Sequence, residues 1–448
     1  MIYDFIQIDK TAKQPMYAQL YSEIKKSILD GRMEIGAKVP SIRMAAEELD
    51  ISTTTVETAY IQLCTEGFLE SRPQRGYFVR MPFVQKKAVV RPKSTAPAVQ
   101  YNFSSEWIDM NAADIPLWRK CVRAALNNPD ALIFRGEPQG ELALREAVAA
   151  YVYEARGVVS QPENLLIGAG IQPLFTLLCS LIDREAVIAL DAPGFKQAEQ
   201  IFKDFGFDVV YTESRCGQSI QNQLDALGAT VYLDISANRP KMSITDIQDY
   251  RASLFEWLNE NDTHYLLEDD YNGDLRVRER PLAAMQEHNP KQIVYLGSFS
   301  KLLLPAVRIS YMILPYALLQ DYEKKAPYYN QSASKIEQIA LGEYIRLGHL
   351  EKHLRRLRKL YYKKSKHLCT TLEEQLPGIR HIEIFETSLL VGFHLPTKLM
   401  DSDIRKRALD KGVQIESVHN KYVRLSFSGI LDENIEPAVH ALKEAWCM

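Results

Sequence analysis

Two rhythms of apolar and polar residues run along this chain, and they change over near residue 100. In MYAQLYSEIKKSILDG (16–31) apolar residues fall at Met16, Leu20, Ile24 and Ile28, one face of a helix that Gly31 closes. IRMAAEEL (42–49), opened by Pro40 and Ser41, predicts a second helix. After a three-residue turn, TTTVETAYIQLCTE (53–66) predicts a third, capped by Ser52 and stopped by Gly67. FLES (68–71) and GYFVR (76–80) alternate as strands do, with Arg72-Pro73-Gln74-Arg75 as the hairpin tip.

Beyond residue 101 the pattern is different. ENLLIGAG, EAVIALD, FDVVYT, ATVYLDIS, HYLLEDDY and QIVYLGS are short apolar runs, most followed by helix-like segments such as IQPLFTLLCSLI (171–182). Strands covered on both faces by crossover helices read this way, which predicts an α/β domain with a mostly parallel sheet. RLGHLEKHLRRLRKLYYKKSKHL (346–368) predicts a basic helix with a solvated face. Between the two regions, MPFVQKKAVVRPKSTAPAVQ (81–100) holds three prolines, four basic residues and no acid, the composition of a linker. The expected organisation is a small unit over 1–80, a linker over 81–100 and an α/β domain over 101–448.

Composition narrows this picture only slightly. With 46% apolar and 25% charged residues the chain is an ordinary globular protein of more than one domain. A net charge of −3 means that any face for nucleic acid must be local. The six cysteines are scattered, with no metal-binding spacing, as in a reducing compartment. The first residues lack the pattern of a signal peptide, and no apolar run approaches the roughly 20 residues that span a bilayer. These features predict a cytoplasmic protein with no membrane partner.

Helix, short turn, helix and hairpin is winged helix-turn-helix geometry. The third helix would enter a major groove of double-stranded DNA, with Ser52, Thr53, Thr54 and Thr55 at base edges or phosphates. Arg43 at the start of the preceding helix could pair with a phosphate, and Arg72 and Arg75 at the hairpin tip could reach an adjacent minor groove or backbone. The run IGAKVPSIRMAAEELDISTTTVETAYIQLCTEGFLESRPQRGYFV (35–79) resembles the GntR family of bacterial regulators. It departs at Thr53, where many members carry arginine, and at Glu57, where some do.

Reactive groups gather where strands end. Lys301 follows QIVYLG, and Glu268, Asp269, Asp270 and Tyr271 end HYLL. Gly168-Ala169-Gly170 joins a strand to a helix and offers backbone N–H groups to an anion. In an open α/β sheet, ligands bind at this edge. Pyridoxal 5′-phosphate needs such a set: an amine for its aldehyde, a carboxylate for its ring nitrogen, a phenol for its 3-oxygen, and donors for its phosphate.

The motifs GAGIQPLF (168–175), DAPGF (191–195), LEDDYNGDLR (267–276) and GSFSKLLLPAVR (297–308) resemble those of fold-type I aminotransferases. From end to end the chain is similar to the MocR subgroup of GntR regulators, which join a winged helix to an aminotransferase-like domain. By that resemblance Lys301 is the Schiff-base lysine, Asp269 pairs with the pyridine nitrogen and Tyr271 with the 3-oxygen. Phe195 stacks on the ring, where the family often has tyrosine. Gly170, Ile171, Gln172, Ser298, Ser300 and Arg308 hold the phosphate, and Arg424 in YVRLSFS grips the carboxylate of an amino-acid ligand. Asn238 lies in ANRPKM (237–242), which departs from the usual turn of the family. Arg135 stands where a tyrosine usually reaches the partner subunit's phosphate. Ala306 replaces a usual glycine, and Gln197 a ligand-binding arginine of some relatives.

The resemblance implies a homodimeric regulator that binds DNA at paired half-sites. It would sense pyridoxal 5′-phosphate, or a small amino compound, through an aldimine on Lys301. Two other readings remain open: a working aminotransferase with an appended DNA-binding unit, and a DNA-binding protein whose second domain only dimerises.

Overall fold

The computed structural model describes residues 3, 6, 8–80, 99–191, 195–213, 219–235, 243–275 and 283–447, apart from the side chains of residues 130 and 131. The chain divides into two compact units, Met1–Thr95 and Ala96–Met448. The expected linker lies almost wholly outside the described residues.

The smaller unit contains α1 (Met16–Leu29), α2 (Ile42–Glu48), α3 (Thr53–Thr65), β1 (Leu69–Arg72) and β2 (Gly76–Val79). Leu20, Ile24 and Ile28 of α1 pack with Val56, Ala59, Tyr60 and Leu63 of α3, so the apolar period read from the sequence is the packing seam. The turn between α2 and α3 passes through Asp50 at φ +49°, a left-handed position that a short polar side chain tolerates. Buried Tyr60 donates its hydroxyl to the Pro40 carbonyl at 3.0 Å and meets the Tyr3 hydroxyl at 2.5 Å. β1 and β2 pair antiparallel from Leu69 opposite Val79 to Arg72 opposite Gly76.

In the larger unit β3 (Tyr101–Phe103) is followed by β4 (Leu165–Gly168), β5 (Val187–Asp191), β6 (Asp208–Thr212) and β7 (Val231–Ile235). β8 (Tyr265–Asp269), β9 (Ile293–Ser298) and β10 (Ser310–Ile313) complete a seven-stranded sheet of order β4-β10-β9-β8-β7-β5-β6. Strands β5 to β9 pair parallel, while β10 runs antiparallel to both neighbours. Six of these strands are the predicted runs. The seventh, β10, inserts between β4 and β9 and carries the residues after Arg308 into the sheet.

A second, four-stranded antiparallel sheet, β11-β12-β15-β14, forms from β11 (Arg380–Phe385), β12 (Leu390–His394), β14 (Ser417–His419) and β15 (Tyr422–Ser426). β13 (Val413–Ile415) pairs parallel with β3, so the first strand of the unit is stitched to its far end.

Two helix expectations need correction. The helix expected over 346–368 runs instead over His349–Gln375, because Gly348 at φ +67° separates it from the helix Lys335–Arg346. Its basic face is not wholly solvated, since Lys364 is fully buried and pairs with Asp109 at 3.0 Å. The helix expected over 171–182 ends at Leu178. Among the described residues no helix is long and apolar enough to cross a membrane.

Candidate functional site

The carboxyl ends of β4, β8 and β9 place Gly168, Asp269 and Ser298 along one edge of the sheet. Lys301 lies in the turn three residues after β9. Its ammonium nitrogen sits 4.9 Å from the centroid of the Tyr271 ring. Burial brings the Lys301 amine down to about 8, against the opposing pull of the Glu416 charge. More of it is therefore neutral, and nucleophilic, at physiological pH than of an exposed lysine. Burial also raises the Tyr271 hydroxyl above its ordinary range, so it stays protonated, with the Asn272 side chain opposing.

Glu268 and Asp269 end β8 and Asp270 follows it, and the three consecutive acids have different partners. Glu268 is buried and accepts the backbone N–H groups of Met285 and Gln286 at 2.9 and 3.0 Å. Asp270 is paired with the Arg156 guanidinium at 2.5 Å and accepts the Tyr295 hydroxyl at 2.6 Å. Asp269 has no such cation among the described residues. Burial pushes its carboxyl up to about 7, the Asp270 charge adds to this, and the Tyr271 backbone N–H opposes it. A buried acid in this state ionises readily once a cation is placed beside it.

At the other end of the site, Gly170 caps the helix Ile171–Leu178 with φ +88°. A Cβ placed there would lie 2.7 Å from Nη2 of Arg308, so glycine lets the guanidinium close over the helix N-terminus. Ser310 donates its hydroxyl to Ser298 Oγ at 2.9 Å, and the Ser300 backbone N–H donates to the same oxygen at 3.3 Å. The Ala169 N–H donates to Ser332 Oγ at 3.0 Å, which ties this loop to a segment that no motif includes. The cluster can receive an anion, since a helix start and a guanidinium meet there.

The remaining expected residues are dispersed. Half-buried Phe195 precedes the helix Lys196–Asp204, and its ring lies 6.4 Å from that of Phe175. Exposed Gln172 accepts the Gln197 amide at 3.3 Å. Arg424 on β15 stacks its guanidinium over the rings of Phe385 and Tyr422, 5.3 and 5.7 Å from their centroids. Arg135 is exposed. Asn238 lies outside the described residues.

Glu416, whose charge acts on both Lys301 and Tyr271, was missed by sequence reasoning. It sits in the gap between β13 and β14, more than a hundred residues from Lys301, and belongs to none of the motifs. Its carboxylate accepts the Ser105 backbone N–H at 2.5 Å and the Ser105 hydroxyl at 2.9 Å. Arg156, which balances Asp270, was missed for the same reason.

In the smaller unit, Ser52 caps α3. Its Oγ accepts the Thr55 backbone N–H at 3.1 Å and pairs with the Thr55 hydroxyl at 2.7 Å. Those two hydroxyls therefore serve the helix start, while Thr53 and Thr54 face outward with Glu57 and Thr58. Arg43 is exposed on α2, and Arg75 is exposed at the hairpin tip. Arg72 folds back, pairing with Glu70 at 3.2 Å and lying 4.5 Å over the Phe78 ring.

Residues 16–79 match the model of the bacterial regulatory proteins of the gntR family, and residues 109–442 match aminotransferase class I and II. The chain is 34% identical to the HTH-type transcriptional regulator YdeL of Bacillus subtilis, over 98% of each chain. It is 24% identical to the probable rhizopine catabolism regulatory protein MocR of Rhizobium meliloti, over 98% of this chain and 95% of that one. Among solved structures, an archaeal alanine:glyoxylate aminotransferase superposes with a TM-score of 0.68 at 19% identity, covering 78% of this chain and 90% of its own.

Proposed function

We propose, from the premise that this chain belongs to the MocR subgroup of the GntR family of transcriptional regulators, that its larger unit binds pyridoxal 5′-phosphate at Lys301. There it would detect a small amino compound, or the cofactor itself. The observation that carries this reading is the meeting of three groups. They are an amine lowered to about 8, the ring of Tyr271 at 4.9 Å from it, and a buried carboxyl at about 7 with no cation partner among the described residues.

These residues fit the group. When bound, pyridoxal 5′-phosphate supplies an aldehyde that condenses with primary amines and a ring that withdraws electrons. Lys301 offers the neutral amine. Asp269 holds the proton on the ring nitrogen, and its own ionisation is favoured there because the pair neutralises in a buried place. Tyr271 donates toward the 3-oxygen, and Phe195 covers the ring. Gly170, Ile171 and Gln172 at the helix start bind the phosphate together with Ser298, Ser300 and Arg308. Asn238 would contact the ring's oxygen side, and Arg424 would bind the carboxylate of an amino-acid ligand.

Regulation requires that ligand arrival alter DNA binding, so the two occupancy states must differ in the conformations they favour. In the proposed organisation, 1–80 contacts DNA, 81–100 links, and 101–448 binds ligand and dimerises. Exposed Ile133 and Phe134 immediately precede Arg135, a surface suited to a second copy, through which Arg135 would reach the partner's phosphate site. A dimer implies paired half-sites on DNA. Thr53, Thr54 and Arg43 would meet the operator, with Ser52 and Thr55 positioning the helix and Arg72 and Arg75 in the wing. The setting is the cytoplasm, where the DNA is.

DNA footprinting with and without pyridoxal 5′-phosphate, then across a panel of amino compounds, tests this function. Protection that changes with cofactor or ligand supports it. Identical protection under every condition, despite a Lys301-dependent cofactor absorbance, sinks the sensing role.

A further inference from the structure

The peptide bond that enters Arg135 is held by the side chain of Lys335. The Lys335 ammonium donates to the Phe134 carbonyl oxygen at 3.1 Å and lies 5.2 Å from the centroid of the Phe134 ring. That oxygen shares a planar unit with the Arg135 N–H, so fixing it fixes where Arg135 begins. The same ammonium is 3.7 Å from the Glu141 carboxylate, and the two side chains are mostly buried, at 17% and 20% exposure. Gly136, the residue after Arg135, has φ +84°. A Cβ there would collide with Glu141 Oε1 and meet Lys335 Cδ at 3.5 Å. Glycine thus lets the chain turn tightly over the Lys335–Glu141 pair as it leaves Arg135.

The frame behind this pair is tied to the edge of the main sheet. Lys335 opens the helix Lys335–Arg346. A cation at a helix N-terminus opposes the dipole, so local helix physics does not call for a lysine there. Just before it, Ser332 Oγ accepts the Ala169 N–H at 3.0 Å, and the Gln331 amide donates to the Pro138 carbonyl at 3.1 Å. Gln338 Oε1 accepts the Glu141 backbone N–H at 2.8 Å, and the Gln139 carbonyl accepts the Ile167 N–H of β4 at 2.8 Å. Segment 134–141 is fastened along its length, while the Arg135 side chain stays exposed. A fixed backbone under an exposed guanidinium leaves less freedom to lose when the guanidinium meets an anion.

We propose, resting on the dimeric, cofactor-binding function above, that Lys335 is a positioning residue for Arg135. It sets the Arg135 guanidinium to meet the phosphate of pyridoxal 5′-phosphate in the partner's site. Its effect passes through Arg135 and is confined to the phosphate.

The test titrates the full-length protein with pyridoxal 5′-phosphate, followed by its Lys301-dependent absorbance, and in parallel with pyridoxal, which has the aldehyde without the phosphate. Arg135→Ala should weaken binding of the phosphate form on the order of tenfold to a hundredfold, as a charge-assisted contact is lost. Lys335→Met keeps the stem and removes the ammonium. It should weaken the phosphate form by roughly threefold to tenfold, the cost of ordering one long side chain, and leave pyridoxal unchanged. In the Arg135→Ala background it should cause no further loss. Lys335→Arg, which can still donate to the Phe134 carbonyl, should retain most of the affinity. If Lys335→Met does not fold, Lys335→Gln is read by the same criteria.

A loss in Lys335→Met that is equal for both forms, or that adds in full to that of Arg135→Ala, overturns the assignment, and so does no loss at all. If Arg135→Ala leaves the affinity for pyridoxal 5′-phosphate unchanged, the positioning role falls while the cofactor site stands. If no absorbance depends on Lys301, the function proposed above has failed, and the role of Lys335 with it.

Discussion

Lys364 on the long helix meets Asp109, 255 residues earlier, at 3.0 Å, and both are sealed from solvent. Burial depresses the Lys364 amine while the Asp109 charge sustains it. Removing one partner strands a buried charge, whereas removing both does not. Asp109→Asn or Lys364→Met should each destabilise the larger unit by about 3–5 kcal/mol in urea unfolding. The double variant Asp109→Asn/Lys364→Met should recover most of that loss, and additive losses would contradict the pairing.

Lys301 reacts as the neutral amine. Its value of about 8 means that the protonated, unreactive form dominates below that pH. Cofactor incorporation, followed by absorbance, should therefore quicken as pH rises through about 8 and level off above it. Lys301→Ala should abolish the band. A pH-independent rate would show that the amine is not held in this state.

The Asp269 carboxyl stands at about 7 when folded, above its ordinary 3.8. Its ionised form is thus disfavoured by folding, and the penalty grows as pH rises from near 4 through about 7. Asp269→Asn should stabilise the cofactor-free protein at mildly alkaline pH, by as much as about 4 kcal/mol, and have little effect near pH 4. The same change should weaken cofactor binding, because the ring nitrogen loses its counter-ion. Thermal melting with and without pyridoxal 5′-phosphate reads both effects.

Gly170 combines φ +88° with a guanidinium that a methyl group would displace. Gly170→Ala should cost about 1 kcal/mol of stability from backbone strain alone. The affinity for pyridoxal 5′-phosphate should fall more, because Arg308 must leave the helix start. A titration showing unchanged affinity would remove Gly170 and Arg308 from the phosphate site.

In the smaller unit, Ser52→Ala should cost about 1 kcal/mol, since the cap on α3 is lost. Arg75→Ala should leave stability unchanged and reduce the salt dependence of DNA binding by about one phosphate contact. Arg72 is engaged with Glu70 and Phe78, so Arg72→Ala should affect the hairpin as well as DNA affinity. Binding measured across a salt series separates these outcomes.

Much of this protein was legible in its sequence. The seam of α1 against α3, the cap at Ser52 and six of the central strands follow from short-range periods and end signals, which depend on neighbours a few residues apart. Lys301, Asp269 and Gly170 could be placed at strand ends for the same reason. The sequence offered four candidates at the end of β8, and only resemblance singled out Asp269 and Tyr271. The tertiary structure supplies a physical ground for the choice of acid: Arg156 and Tyr295 engage Asp270, backbone N–H groups engage Glu268, and Asp269 has no cation partner among the described residues. Packing also inserted β10 beside β4, bringing Arg308 to Gly170, and brought the Glu416 charge within electrostatic reach of Lys301 from the far end of the chain. Those relationships join residues more than a hundred positions apart. They arise from strand pairing and buried charge balance, which no local pattern encodes.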